Sequence, residues 1–235
     1  MNPPYVPVTG SQPRRRRGNH WESYCPFRRR IETSSSDLED QIDVLLSLDP
    51  TVDEFCEQAL RIHAVIDGEP RSSILDYWIR LHDRRELFRE AKYESDLAER
   101  ASNPRLDLQL CVQERWSADG GHNYGLLTDA LTRRHTTRIR NGKLVLGFLR
   151  ADYPEGRRDL LCTAIGLLLA VRPYTYGELM VHFHPSPSAL IAQAIFSLLV
   201  TGHAAADLDT EPLNADTMFR EFRGPLDDHP LAIKY

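Results

Sequence analysis

Two short runs hold the residues whose types and spacing could do chemistry. In SILDYWIRL the alternation of apolar and polar side chains puts Ile74, Asp76, Trp78 and Arg80 on one face of a strand, and Leu75, Tyr77, Ile79 and Leu81 on the other. Asp76 is thus an acid where a strand would bury or line something. After a polar turn from His82 to Arg85, ELFREAKY reads as a second strand whose period of two points Glu90 and Lys92 to the same face. Paired antiparallel, the two strands would gather Asp76, Glu90 and Lys92 at one edge. Two carboxylates and a lysine suit a metal-dependent phosphodiesterase, which needs hard oxygen ligands for Mg²⁺ and a cation near the attacking water or the scissile phosphate. Lys92 is one of three lysines, with Lys143 and Lys234, in a chain whose basic residues are otherwise arginine. A compact amine and a guanidinium fork are not interchangeable in such a role. With 27% of residues charged, a structural Asp76–Lys92 ion pair is the competing reading.

The elements that must position these residues can be followed along the chain. Residues 1–30 combine Pro3, Pro4, Pro7 and Pro13 with two arginine runs, which predicts an extended segment without a core. TSSSDLEDQIDVLLSL starts a helix: Ser36 can cap it, Glu39 is the capping-box partner, and Leu38, Ile42, Leu45 and Leu46 form the apolar face. Pro50 ends it. A short segment from Val52 to Gln58 then leads into the strand ALRIHAVID, closed by an Asp67-Gly68 turn. Beyond the two strands already described, Asn103-Pro104 caps a helix that closes near Gly120-Gly121, and NYGLLT fits a buried strand. The sum is an α/β unit with a mixed sheet, spanning 31–152. From 153 to 235 the character changes to mainly helical. RRDLLCTAIGLLLAV, whose apolar run implies burial on several sides, YTYGELMVHF and SPSALIAQAIFSLLVTG form three helices, followed by a weak hairpin around Glu211-Pro212. Three helices and a hairpin of this length suggest a winged helix-turn-helix.

Composition narrows the class. The 235 residues are 41% hydrophobic, enough for a folded core. The formal net charge of −5 hides an asymmetry, for Arg14, Arg15, Arg16, Arg17, Arg28, Arg29 and Arg30 lie in the first thirty residues with Glu22 as the one acid there. Such an arm suits contacts with phosphates or with a partner protein. The most apolar stretch, Leu160 to Val171, is too short to span a bilayer, and MNPPYVPVTG lacks the pattern of a secretory signal. The four cysteines are too scattered for a disulfide framework or a structural zinc site, so the expectation is a cytoplasmic protein with reduced thiols and no membrane partner.

SSDLEDQIDVLLSLDPTVDEFCEQALRI, followed by SSILDYWIRL and FREAKYES, resembles the TnsA family, the endonuclease subunit of heteromeric bacterial transposition systems. The resemblance lies in the order of a helix with an acid, a "DP.V..f..Q" turn and strand, a strand with Asp, and an acid-x-Lys strand. NYGLLTD and the C-terminal part look similar as well, so that residues 31 to 215 are covered. The resemblance implies a restriction-endonuclease-like PD-(D/E)xK core, with Glu39, Asp76, Glu90 and Lys92 as the catalytic set and the three acids holding Mg²⁺, for which Mn²⁺ could substitute. It further implies cleavage of the 5′, non-transferred strand at transposon ends in the bacterial cytoplasm. The implied partners are a TnsB-like DDE transposase and a TnsC-like AAA+ regulator. One departure is Leu75, which stands where the wider nuclease superfamily has proline before the aspartate.

Further candidate DNA contacts are Gln58 and the block Arg133, Arg134 and Arg138, with Arg140 beside it; a polar strand start and a solvated charged face are the plainer alternatives. His82 could donate to phosphate, an exposed turn histidine being the plainer alternative, whereas His182 and His184 have no carboxylate or cysteine at ligand spacing and read as surface or half-buried side chains. The third C-terminal helix carries no arginine or lysine, so it is ill suited to reading a major groove by itself. Two other readings of the same fold stand beside the transposition nuclease. One is a restriction-type or repair nuclease acting alone, and the other is a scaffold whose metal site is vestigial.

Overall fold

The structure, a computed structural model, describes residues 5–8, 19, 21–25, 30–150 and 155–233. Its contacts divide the chain into two compact units. The first comprises Met1–Ser23, Glu32–Ile42 and Val52–Arg134; the second comprises Tyr24–Ile31, Asp43–Thr51 and His135–Tyr235. The last change of unit along the chain falls at Arg134/His135. Strand β1 (Trp21–Cys25), within the stretch read as a coreless arm, pairs with β2 (Arg30–Ser34), which starts at the last residue of that stretch. Arg30 opens β2, and Arg14 to Arg17, Arg28 and Arg29 lie outside the described residues.

The first unit is α/β, built on a mixed four-stranded sheet. Helix α1 (Asp37–Leu48) starts as its sequence predicts: the Ser36 hydroxyl accepts a 3.2 Å hydrogen bond from the Glu39 amide, which satisfies one of the free N–H groups of the first turn. Strand β3 (Val52–Ile66) is longer than expected, because the segment before Gln58 and the run after it are one strand interrupted by a bulge. The register shifts between Glu57 and Leu60, and Gln58 takes up the extra residue at φ +47°. At Asp67-Gly68, φ values of +51° and +80° give the two-residue hairpin that joins β3 to β4 (Glu69–Leu81). Strand β5 (Glu86–Lys92) pairs antiparallel with β4.

The connection after β5 passes through α2 (Glu94–Ala98) into α3 (Pro104–Gly120). Asn103 Oδ1 accepts from the Leu106 amide at 3.2 Å, Pro104 fills the first turn, and Gly121 closes the helix at φ +63°. Strand β6 (Tyr124–Thr128) then adds to the sheet parallel to β5, which completes the order β3-β4-β5-β6. The core on the α3 side gathers Cys56, Ala59, Ile62, Leu75, Trp78, Phe88 and Val112. Helix α4 (Asp129–Arg134) ends the unit.

In the second unit, α5 (Thr136–Leu149) is formed by the basic and apolar runs that follow His135. Then come α6 (Glu155–Leu169), β7 (Tyr174–Thr175), α7 (Tyr176–His182), α8 (Ser188–Val200), β8 (Ala204–Ala205) and β9 (Met218–Glu221). The three strands form one small sheet in the order β7-β9-β8. A reciprocal capping box between Thr175 and Glu178 starts α7. Helix α6 is not covered all round: Ile165 and Leu169 are buried, whereas Leu160 and Leu167 are exposed. Among the described residues, no helix is long and apolar enough to cross a membrane.

Asn141 and Arg138 on α5 hold the loops of this unit. Asn141 donates to the carbonyls of Leu208 and Glu211 and accepts from the Leu213 amide, all at 2.8–2.9 Å. A Cβ at Gly142 would lie 2.5 Å from Leu48 Cδ1 and 2.6 Å from Val44 Cγ1, both on buried side chains. Replacing a helical glycine by alanine ordinarily stabilises by about 1 kcal/mol. Here the sign should reverse, and Gly142→Ala is expected to destabilise by about 1–3 kcal/mol through overpacking, as read by urea or thermal unfolding.

Candidate active site

The site is assembled where β4 and β5 run side by side beneath α3. Asp76 lies on β4, while Glu90 and Lys92 lie two residues apart on β5. Lys92 Nζ donates to Glu90 Oε1 and lies 3.8 Å from Asp76 Oδ2. The Ala91 amide donates to Asp76 Oδ2 at 3.0 Å, so the backbone of β5 itself fixes the aspartate. The three residues that strand periodicity groups are thus brought together.

Glu90 is completely buried. An ionised carboxylate there needs donors on both oxygens, and α3 supplies them. Gln109 Nε2 donates to Oε1, and Gln113 Nε2 donates to Oε2 at 2.8 Å. Gln113 is held in turn, for its Oε1 accepts from the Tyr124 hydroxyl at 2.8 Å and its Nε2 also reaches Ser73 Oγ at 3.0 Å. Burial and the negative charge of Glu90 push the Tyr124 hydroxyl to a raised pKa, so it stays a donor.

Glu39 enters from the first turn of α1. The Tyr77 hydroxyl donates to its backbone carbonyl at 3.1 Å, which ties that turn to β4. Its carboxylate accepts from the Ser35 amide at 3.0 Å and from the hydroxyls of Ser35 and Ser36 at 3.0–3.1 Å. The capping interpretation is therefore correct in kind, although the backbone donor is Ser35 rather than the cap Ser36. The same carboxylate also lines the cleft beside Asp76.

The cleft has a volume of about 620 Å³, with Glu39, Asp76, Glu90 and Lys92 among its lining residues. Gln58 lines it too, placed by the bulge in β3, whose carbonyl accepts from the Val8 amide at 2.9 Å. Sequence reasoning missed Gln109, Gln113 and the arginines of the lining, Arg61, Arg71 and Arg105. For α3 a signal existed, since Arg105, Gln109 and Gln113 recur every fourth residue and so form one stripe.

The arginine block after β6 is a different matter. Arg138 is buried: its guanidinium donates to Asp209 and to the carbonyls of Pro230 and Leu231, so it is a structural clamp and not a surface contact. Arg133 is exposed and pairs with Glu94 and Asp129; Arg134 is exposed as well. Neither lines the cleft.

Charge is poorly balanced in the cleft. Burial first, and then the neighbouring Glu90 carboxylate, raise the Asp76 pKa well above the ordinary carboxylate range, against the pull of Lys92 and the Ala91 amide. Burial and the charge of Asp76 likewise raise Glu39. Burial works against the charge of Lys92, yet Asp76 and Glu90 outweigh it and hold the amine above its ordinary value. Among the described residues no three His, Cys, Asp or Glu side chains form a ready-made ion cage. No protein-family model matches the chain, and no curated protein does.

A raised carboxylate pKa means that the folded state binds more protons than the unfolded one, so stability falls as pH rises from the unfolded value through the folded one. Above its folded pKa Asp76 therefore carries its full cost. Its side chain keeps 22% of its surface open, which limits that cost. In EDTA at neutral pH, Asp76→Asn is expected to raise stability by about 1 kcal/mol, or about 2–4 °C in Tm. The gain should shrink as pH falls through the folded pKa toward about 4. Thermal melts of both proteins across that range check the sign.

Proposed function

We propose that the first unit is a Mg²⁺-dependent DNA endonuclease and that the second is a small winged-helix-type partner domain. The observation that carries this reading is the junction of β4 and β5, where Lys92 Nζ sits between the carboxylates of Asp76 and Glu90 in an open cleft. The order of helix, three antiparallel strands, helix and parallel strand agrees with a PD-(D/E)xK core. In the second unit, the succession α6-β7-α7-α8-β8-β9 with sheet order β7-β9-β8 agrees with a winged helix.

The donor set suits Mg²⁺. That ion is commonly held by one or two carboxylates, with water and phosphate oxygens completing its shell, so no protein cage is required. Around Lys92 the three carboxylates Glu39, Asp76 and Glu90 share one ammonium, and this local negative excess is what a divalent cation offsets, while the arginines of the lining, Arg61, Arg71 and Arg105, are exposed. Asp76 and Glu90 would hold the ion and Glu39 would complete the acidic side; Mn²⁺ suits the same oxygen donors. When bound, the ion supplies polarisation of the phosphate and of the attacking water. The remaining work belongs to the chain. Gln109 and Gln113 orient Glu90, the Ala91 amide orients Asp76, and Lys92 places positive charge where charge develops on the phosphate.

In this reading the enzyme cuts the 5′ strand at transposon ends, in the bacterial cytoplasm. A TnsB-like DDE transposase acts on the other strand, and a TnsC-like AAA+ regulator completes the assembly. Helix α8 supports the dependence on partners: it lacks arginine and lysine, and its residues from Leu190 to Phe196 are buried. Such a helix offers few side chains to base edges, so the address must come from elsewhere.

Two outcomes are expected. Asp76→Ala should keep its circular dichroism spectrum while losing Mg²⁺-dependent cleavage by roughly 10²-fold or more, the scale of losing one group that stabilises developing charge. Normal cleavage by the folded variant removes Asp76 from the site. The unmodified protein alone should bind and cut a transposon-end duplex poorly, and gain position and activity when its transposase is added. Strand-resolved cleavage with and without that partner checks this, and efficient, correctly placed cutting by the isolated chain favours a stand-alone nuclease.

A further inference from the structure

The mouth of the cleft carries two cations with no counter-charge. Arg61 on β3 and Arg105 in the first turn of α3 both line it and both are exposed. Neither makes an ion pair or a side-chain hydrogen bond among the described residues. Arg71, the third arginine of the lining, is already paired with Glu69. The position of Arg105 is unfavourable in itself, because the first turn of a helix carries partial positive charge and repels a cation. An arginine held there, beside a cleft whose acids it does not neutralise, makes sense if an anion lies against it.

We propose that Arg61 and Arg105 form a two-point clamp on the phosphodiester backbone of the DNA strand that enters the cleft, one from the sheet and one from α3. The clamp rests on the nuclease reading given above and assigns its substrate contacts. A phosphate approaching Glu39, Asp76 and Glu90 is repelled by them, and Lys92 is engaged by Asp76 and Glu90. Arg61 and Arg105 supply the attraction that brings the backbone in, and each guanidinium can grip a phosphate with two parallel N–H donors. Contacts of this kind carry no base preference. The cleft therefore holds the strand, and the sequence is chosen elsewhere.

The test uses the full chain carrying Asp76→Asn, which retains an oxygen acceptor for the Ala91 amide but lowers the charge of the floor. Binding of a short fluorescein-labelled DNA, single-stranded and duplex, is followed by anisotropy in EDTA at several KCl concentrations. Arg61→Ala and Arg105→Ala should each weaken binding several-fold at low salt and flatten the dependence of log K on log[salt]. The slope should change by about 0.7 for single strands and about 0.9 for duplex per lost contact, and the changes should add in the double variant. Lysine at either position should restore most of the slope. Arg85→Ala, in the β4–β5 turn where Arg85 pairs with Asp83, should leave it unchanged. If the parent binds DNA and both alanine variants keep its affinity and slope, the clamp is wrong while the nuclease reading stands. If the parent binds neither form of DNA even at low salt, the clamp is wrong, and Mg²⁺-dependent cleavage by the unmodified chain with its transposase decides the nuclease reading separately.

Discussion

The first unit depends on satisfying one carboxyl group in its interior. Taking such a group out of water costs several kcal/mol unless its oxygens are fully engaged, and Glu90 has no exposed surface at all. Its donors come from two elements: Lys92 on its own strand, and Gln109 and Gln113 on α3. Helix α3 must therefore lie where its polar stripe meets β5. Gln113 must in turn be prevented from rotating away, which Tyr124 on β6 and Ser73 on β4 achieve. The hairpin strand, the crossover helix and the parallel strand thus converge on one side chain. Removal of a single donor would leave an oxygen unsatisfied in the interior, which is costlier than losing a surface contact.

Asp76 shows the other solution to the same problem. It has the Ala91 amide and the more distant Lys92, and it stays partly open to the cleft. Two acids of similar chemistry therefore differ in freedom: Glu90 is fixed by three donors, of which Oε2 takes only Gln113, whereas Asp76 accepts from the Ala91 amide and stays partly open to the cleft. Glu39 lies between these cases. Its carboxylate is engaged with Ser35 and Ser36 at the start of α1 while it feels the charge of Asp76. Capping and a place in the cleft are compatible because the cap fixes the rotamer without removing the charge.

What was legible in the sequence follows from which interactions are local. The period of two along β4 and β5 is imposed by the pleat, so the grouping of Asp76, Glu90 and Lys92 could be read directly. The Asp67-Gly68 turn, the Asn103-Pro104 cap and the Gly121 stop rest on backbone preferences of single residues and were equally readable. Gln58 was not, since a glutamine at positive φ gives no warning of a bulge, and the bulge is what joins two apparent segments into one strand. Arg138 misled because its composition matches a charged surface, whereas Asp209, Pro230 and Leu231, far along the chain, bury it. Helix α6 misled in the opposite sense, for a nearly continuous apolar run cannot say which of its faces finds a neighbour. The C-terminal unit was readable as a succession of elements, yet its start depends on where α5 packs, which no local signal records.

The net charge of the chain is a poor guide to what the cleft attracts. Screening in physiological salt reduces interactions beyond about 8 Å, so a ligand at the mouth responds mainly to the lining and little to the distant acids that make the total −5. The lining itself contains three acids, Glu39, Asp76 and Glu90, against four bases, Arg61, Arg71, Lys92 and Arg105. With every group ionised the cleft is slightly positive although the chain is negative. The arrangement is also layered, because Glu90 is buried and Lys92 lies close against it, whereas Arg61 and Arg105 are exposed. Nearby charges of opposite sign do not simply cancel for an anion that meets the bases first. The acids are then left to act on whatever is carried further in, so an acidic body and an anionic ligand are compatible in one domain.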